Sequence, residues 1–152
     1  MLNAPMEYTI VSYSPRYRDD MIFCLLAAKD ALGHMPRLNE DLLDIPANYT
    51  ARGGAFWLAL DERGRVAGMV GVLCASADDI WLKRLYIRPG CKRQGLGTAL
   101  LRTAETFARE KGATRIHTRF ADNYEEAARF YPAMGFENAE RSAGCRHCVK
   151  TL

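Results

Sequence analysis

The stretch RPGCKRQGLGTALL, residues Arg88 to Leu101, places glycines where an extended segment gives way to an apolar helical pattern. The first turn of a helix leaves backbone N–H groups unpaired and carries partial positive charge, so it attracts anions. Glycine has no Cβ, which lets a phosphate approach the backbone closely. Gly95 and Gly97 lie in this turn, and Lys92 and Arg93 precede them. The stretch therefore predicts a binding site for a strongly anionic ligand.

Two common phosphate-binding motifs do not fit this stretch. In a P-loop the second glycine is followed by Lys and then Ser or Thr, but Leu96 and Gly97 follow Gly95. A dinucleotide-binding loop needs a glycine or alanine three residues after Gly97, and Leu100 stands there. A dinucleotide-binding module is therefore excluded. A glycine-opened helix that serves only packing remains an alternative.

The composition is that of a soluble globular protein, and we expect a single domain over residues 1–152. Apolar residues make up 49% of the chain and charged residues 26%, which is typical of globular proteins. The balance of 21 basic to 18 acidic residues is too even to indicate a nucleic-acid partner. No apolar run is long enough to cross a bilayer. Five scattered cysteines without a signal-peptide pattern favour reduced thiols and a cytoplasmic location.

Hydrophobic periodicity and turn residues predict one α/β domain whose sheet is mostly antiparallel at its front. The strongest helical pattern has an apolar stripe formed by Leu96, Leu100, Ala104 and Phe107. The predicted order is a strand at 7–14, a helix at 18–32, a short helix ending at Pro46, two strands joined by a turn at 61–64, a strand at 79–89, the long helix at 95–111, a strand at 115–121, a helix at 124–131, and a pair of strands within 137–152.

This sequence resembles the GNAT superfamily of N-acetyltransferases. The family signature is Gln/Arg-x-x-Gly-x-Gly/Ala after a strand that ends in hydrophobic-x-Pro, and LYIRPGCKRQGLGTALL follows it with Lys92 at the first position. A second family block, Tyr-x-x-x-Gly-Phe at a helix end, matches Tyr131 to Phe136. The resemblance, which includes the order of elements, implies a GNAT fold: a mixed, mostly antiparallel sheet of about seven strands flanked by about four helices.

The resemblance implies acetyl-CoA as the cosubstrate and direct attack by a primary amine, without an acyl-enzyme. The backbone of Leu85, Tyr86 and Ile87 would pair with the pantetheine arm, and Asn123 would reach the cofactor from the loop before the second block. Asn123 lies eight residues before Tyr131, whereas the family's asparagine lies seven before, where this chain has Tyr124. The pyrophosphate would be held by residues of the glycine loop, namely Arg93, Gln94, Gly95, Leu96, Gly97 and Thr98.

By the same resemblance, Tyr131 would donate a proton to the leaving thiolate; the alternative is a packing aromatic. Pro132 disfavours helical geometry at the residue before it, so we expect the helix to break there. Trp81 stands where many relatives have a glutamate base, and an indole cannot accept the proton of an amine. His117, His147 or a water relay are the alternative bases, and none is assigned.

The acceptor would be an amine-bearing small molecule or a peptide N-terminus, and dimers are frequent among such relatives. Glu40, Asp41 and Asp44 could attract a cationic amine or only complement a helix dipole. The alternative to an enzyme is a degenerate GNAT domain that binds acyl-CoA as a sensor. No metal is expected, because Cys145-x-x-Cys148 has no second pair of ligands nearby.

Overall fold

A computed structural model describes residues 7–152. Its seven strands form one sheet in the order β1-β2-β3-β4-β5-β7-β6. Every neighbouring pair is antiparallel except β4 and β5, which are parallel. The strands are β1 (Thr9–Ser12), β2 (Ala55–Leu60), β3 (Val66–Cys74), β4 (Asp79–Ile87), β5 (Arg115–Ala121), β6 (Glu137–Ser142) and β7 (Cys145–Thr151).

Helices cover both faces of this sheet. They are α1 (Arg18–Ala31), α2 (Ile45–Asn48), α3 (Leu96–Glu110) and α4 (Glu125–Ala133), with short 3-10 turns at Pro15–Tyr17, Glu40–Leu43, Thr50–Arg52 and Pro89–Cys91. One hydrophobic core lies between the sheet and the pair α3 and α4, and a second lies between the sheet and the pair α1 and α2. The predicted fold class, a mixed and mostly antiparallel sheet of seven strands with four helices, is confirmed.

The segment after α1 differs from the prediction. The sequence predicts one short helix that ends at Pro46, whereas the structure has a 3-10 turn followed by α2, with Pro46 in the first turn of α2. The prediction is wrong because the N–H that proline lacks has no partner in the first turn of a helix anyway. The Oδ1 atom of Asp44 accepts a hydrogen bond from the Ala47 amide at 3.0 Å and so caps α2.

The expected break of the last helix before Pro132 is also wrong. Helix α4 continues through Pro132 and ends at Ala133. Pro132 lies in the last turn, so the missing N–H costs one hydrogen bond and interrupts no following turn. The end is closed by Gly135, at φ +94°, and by a bond from the Phe136 amide to the Tyr131 carbonyl at 3.0 Å, the pattern of a Schellman motif.

The parallel ladder between β4 and β5 is short. It pairs Asp79 with Arg115, Ile80 with Ile116 and Trp81 with His117, although β4 continues to Ile87 and β5 to Ala121. The two strands therefore separate after their third pair and leave a gap in the middle of the sheet. Within residues 7–152, no helix has both the length and the apolar character that crossing a bilayer would need.

One buried carboxylate ties α3 to strand β7. Glu105 is 0% exposed, and both its oxygens lie 3.1 Å from the ammonium of Lys150 on β7. Arg102 and Arg109, one turn away on either side, approach it at 3.3 and 3.4 Å. Glu105 and Arg109 are four residues apart, the spacing at which side chains on a helix meet. A buried charge is tolerated only when it is paired in this way.

We expect Glu105→Ala to lower the free energy of unfolding by about 3 kcal/mol, because it leaves Lys150 without its partner. The control is Arg109→Ala, whose side chain is 53% exposed and which should cost less than about 1 kcal/mol. Urea unfolding monitored by circular dichroism measures both. Equal losses in the two variants would contradict a structural role for the buried carboxylate.

Candidate functional site

A cavity of about 670 Å³ occupies the gap between β4 and β5. We call it the main cleft. Its walls are the second half of β4, the second half of β5, the first turn of α3, one face of α4, and the segment that follows α1. Its volume lies in the range of small-molecule and cofactor sites. The position between separated strands means that backbone groups as well as side chains are accessible to a ligand.

The predicted pantetheine-binding residues lie on this wall. Leu85, Tyr86 and Ile87 line the main cleft. They lie beyond the end of the ladder to β5, so their backbone edge on that side has no strand partner. An extended ligand could add to such an edge as a further strand. Just before them, Arg84 has a positive φ of 55°, and the pairing of β3 with β4 shifts register there, which is a β-bulge.

The glycine loop curls tightly into α3. Arg93 and Gly95 have positive φ, +62° and +79°, and left-handed residues in such a loop can turn neighbouring backbone amides toward one point. Helix α3 starts at Leu96, and its first internal hydrogen bond joins the Ala99 amide to the Gly95 carbonyl at 3.0 Å. The amides before Ala99 are therefore available to an anion. Gly97, in the same turn, lines the main cleft.

The side chains of this loop are mostly used by the protein itself. The Lys92 ammonium donates to Glu126 on α4 at 2.8 Å. The Gln94 side-chain oxygen accepts a hydrogen bond from the Tyr8 hydroxyl at 2.8 Å. Arg93 is exposed. The loop thus offers backbone amides and one exposed guanidinium, which is a donor set suited to phosphate.

Tyr131 lies on the α4 wall of the main cleft. Its ring stacks on Phe120 with the centroids 5.5 Å apart, and Phe130 and Phe136 meet it edge-on. Burial raises the pKa of the Tyr131 phenol well above its usual range, and the neighbouring Thr118 hydroxyl offsets only part of this rise. The phenol is therefore protonated at neutral pH. A fixed, protonated hydroxyl on the wall of a cleft can act as a proton donor.

Asn123 is not part of the cleft wall. It is exposed in the turn before α4, and the next residue, Tyr124, lines the main cleft instead. Burial, with the charge of Glu126 as a second cause, raises the pKa of Tyr124 to about 12. Sequence reasoning left Tyr124 out of the site, although its spacing of seven residues before Tyr131 marked the position.

Trp81 and two histidines form a stack outside the main cleft. The ring of Trp81 lies 5.0 Å from that of His117 and 4.9 Å from that of His147. His117 Nε2 lies 2.7 Å from Asp79 Oδ1, and His117 Nδ1 lies 2.9 Å from His147 Nε2. The pKa of Asp79 is held far below its usual range, first by Arg115 and then by His117. Both histidines are thus engaged in a hydrogen-bonded chain, and neither is part of the wall of the main cleft.

Two of the three acidic residues of the segment after α1, Asp41 and Asp44, already have partners. The two carboxylate oxygens of Asp41 accept hydrogen bonds from the Arg84 guanidinium, at 3.0 and 2.9 Å. Asp41 also accepts a hydrogen bond from the Tyr49 hydroxyl at 2.6 Å. Burial by itself would raise the pKa of Asp41, but hydrogen bonds from Arg84 and Tyr49 bring it below the usual range. Asp44 caps α2, and Glu40 is exposed. Asp41 fixes the segment against the bulge of β4.

Comparisons with known proteins agree with this geometry. Residues 52–138 match the family model described as acetyltransferase (GNAT) domain. The chain is 33% identical over 103 residues to probable N-acetyltransferase camello from Xenopus laevis. The aligned region covers 66% of this chain and 47% of that protein. The chain therefore spans about half the length of this curated relative.

Two solved structures share the fold. A GNAT-family acetyltransferase from Staphylococcus aureus superposes with a TM-score of 0.89 at 23% identity, over 96% of this chain and 99% of that one. The PaiA N-acetyltransferase from Thermoplasma acidophilum, in complex with coenzyme A, superposes with a TM-score of 0.82 at 17% identity, over 97% and 100%. Because the family model covers more than half of the residues, this chain belongs to the GNAT family of acetyltransferases.

Proposed function

We propose that this chain is an N-acetyltransferase that moves an acetyl group from acetyl-CoA to a primary amine by direct attack in a ternary complex. Acetyl-CoA is the cosubstrate that an acetyltransferase domain requires. The observation that carries the proposal is the main cleft itself, which brings an unpaired strand edge, the first turn of α3 and the Tyr131 phenol together in one cavity. These three features match the pantetheine arm, the pyrophosphate and the leaving thiolate.

The binding role falls to backbone groups. Residues 85–87 would hold the amide-rich pantetheine arm along the free edge of β4, and the amides of residues 93–98 would hold the pyrophosphate. A Cβ built on Gly97 meets only the Phe130 ring, at 3.5 and 3.6 Å, which is ordinary contact distance. Protein packing therefore does not demand a glycine at this position. A ligand that must approach the backbone does.

In the reaction, the amine nitrogen bonds to the thioester carbon, and the bond from that carbon to sulfur breaks. Tyr131 gives its phenolic proton to the sulfur as negative charge develops there. The amine has to lose a proton as well, since a free alkyl ammonium has a pKa near about 10.4. Trp81 cannot take that proton, and neither His117 nor His147 is part of the cleft wall. The titratable side chains that do line it include His34 and Glu126, and Glu126 is paired with Lys92. The proton would therefore leave to water in the open cavity or to His34.

The alternative is a domain that binds acyl-CoA without turnover. A break of the helix at Pro132 would misplace Tyr131 and so favour this alternative. However, α4 continues through Pro132, and Tyr131 lines the cleft. The remaining argument is the missing carboxylate at Trp81. Turnover of any amine decides between the two functions.

We expect Gly97→Ala to weaken acetyl-CoA binding at least about tenfold, because the added methyl group fills the space between the backbone and the phosphate. The melting temperature should not fall, because alanine is well tolerated in a helix. Isothermal titration with acetyl-CoA measures the affinity. The control is Gly90→Ala in the turn before the loop, where an added Cβ meets nothing within 4 Å. Wild-type affinity in the Gly97 variant would mean that the glycine serves only packing.

We expect Tyr131→Phe to lower kcat about 100-fold or more, as loss of a general acid does, and to leave the affinity for acetyl-CoA near that of the wild type. The phenylalanine keeps the stacking on Phe120, so the fold is preserved. Free-thiol release under saturating acetyl-CoA measures kcat, and titration measures affinity. Tyr124→Phe is the matched control on the same wall. An unchanged kcat in the Tyr131 variant would remove this residue from the chemistry.

A further inference from the structure

A second, smaller cavity of about 260 Å³ adjoins the main cleft, and Lys83 and Arg119 line both. We call it the side cleft. We propose that the side cleft binds an anionic group of the acceptor, so that the substrate is a primary amine that also bears a carboxylate or a phosphate. This inference rests on the proposed acetyltransferase function and adds to it the chemical class of the acceptor.

The side cleft is built around one aromatic ring with two cations. Trp81 and Lys83 are two residues apart on β4, so they share a face of the sheet, and Arg119 reaches the same ring from β5. The Lys83 ammonium lies 5.5 Å from the Trp81 ring centroid, and the Arg119 guanidinium carbon lies 5.4 Å from it. Arg52, from the 3-10 turn after α2, adds a third cation to the lining. Its other walls are the small or apolar residues Leu73, Cys74 and Ala75.

These cations lack the acidic partners that their neighbours have. Arg84, next to Lys83, is paired with Asp41, and Arg115 on β5 is paired with Asp79. No salt bridge within residues 7–152 involves Arg52, Lys83 or Arg119. Three unpaired cations around a concave surface create a positive potential that draws in and holds an anion.

The surroundings of Lys83 are consistent with such a positive field. Burial lowers its pKa, and the charges of Arg84 and Arg119 lower it further. A protonated lysine is thus disfavoured by its surroundings, and a bound carboxylate or phosphate would relieve this repulsion. The neighbouring wall of the main cleft is also basic. Lys29 lines it and donates only to neutral oxygens, of Arg37 at 2.6 Å and Asn39 at 2.7 Å.

The arrangement also bears on the missing base. An excess of positive charge near a bound amine disfavours its ammonium form and lowers the pKa of that ammonium. When one carboxylate binds against three cations, the field at the amine stays positive. The acceptor would therefore lose its proton to water more readily than the same amine in solution. The side cleft would select an acidic acceptor and prepare its amine for attack.

The test is an acetyl-transfer assay with the full chain and four primary amines of similar length, read by free-thiol release. β-Alanine carries a carboxylate, 2-aminoethyl phosphate a phosphate, propylamine no second charge and 1,3-diaminopropane a second cation. We expect kcat/KM to be at least about tenfold higher for one or both anionic amines than for the other two, since hydrogen bonds between ions are strong. The two anionic compounds distinguish carboxylate from phosphate recognition.

Arg119→Glu tests the side cleft directly. Arg119 is exposed, so the fold should tolerate the change. We expect kcat/KM to fall for anionic amines and to rise for 1,3-diaminopropane. Arg119→Lys should retain the anionic preference. The control is Arg129→Glu, which makes an equal change of charge at an exposed position on α4. Arg129 lines neither cleft, so this variant should keep the wild-type preference.

The outcomes separate this inference from the function on which it rests. Acetylation with no preference for anionic amines, or an Arg119→Glu variant with the wild-type preference, would overturn the anionic subsite and leave the acetyltransferase standing. Binding of acetyl-CoA without acetylation of any of the four amines, or of a wider amine library that includes peptides, would overturn the acetyltransferase and the acceptor class with it.

Discussion

The separation of β4 from β5 after three residue pairs is the constraint on which the site depends. Backbone groups in the middle of a sheet normally pair with the next strand, and those left unpaired must bind water or a ligand. Here the gap exposes one edge of β4 beside the first turn of α3, because the chain passes from Ile87 through Pro89 directly into the glycine loop. The strand edge and the helix terminus are therefore neighbours by connectivity as well as by packing.

A strained residue lies on the β4 side of the gap. Arg84 adopts a left-handed backbone conformation, with φ 55°, which costs a non-glycine residue about 1 kcal/mol or more. Its guanidinium is fixed by Asp41, which also accepts from the Tyr49 hydroxyl. This network joins the bulge of β4 to the segment after α1, and so it shapes the wall opposite α4. Because Asp41 is paired with Arg84, its carboxylate is not free to attract a cationic ligand.

Local sequence patterns predict most of the fold and the main outline of the site. The glycine loop, the long helix and the strand order follow from spacing over a few residues, and the structure has them at nearly the expected bounds. Contacts between segments that are distant in the sequence could not be predicted in this way. Asp41 and Arg84 are 43 residues apart, and nothing local shows that one neutralises the other. Pro46 and Pro132 misled because the effect of a proline depends on which turn of the helix holds it.

The tryptophan at position 81 is explained best by its neighbours. A glutamate there would stand among Lys83 and Arg119 and would pair with them, since both already lie about 5.5 Å from the ring that occupies the position. The base and the anion-binding cations would then neutralise each other. An indole leaves both cations unpaired and supports them with its electron-rich face. If the side cleft binds an acidic acceptor, a tryptophan at position 81 both removes the carboxylate base and leaves the wall positively charged. The positive field that holds the acceptor's anionic group also lowers the pKa of its amine, which reduces the need for that base.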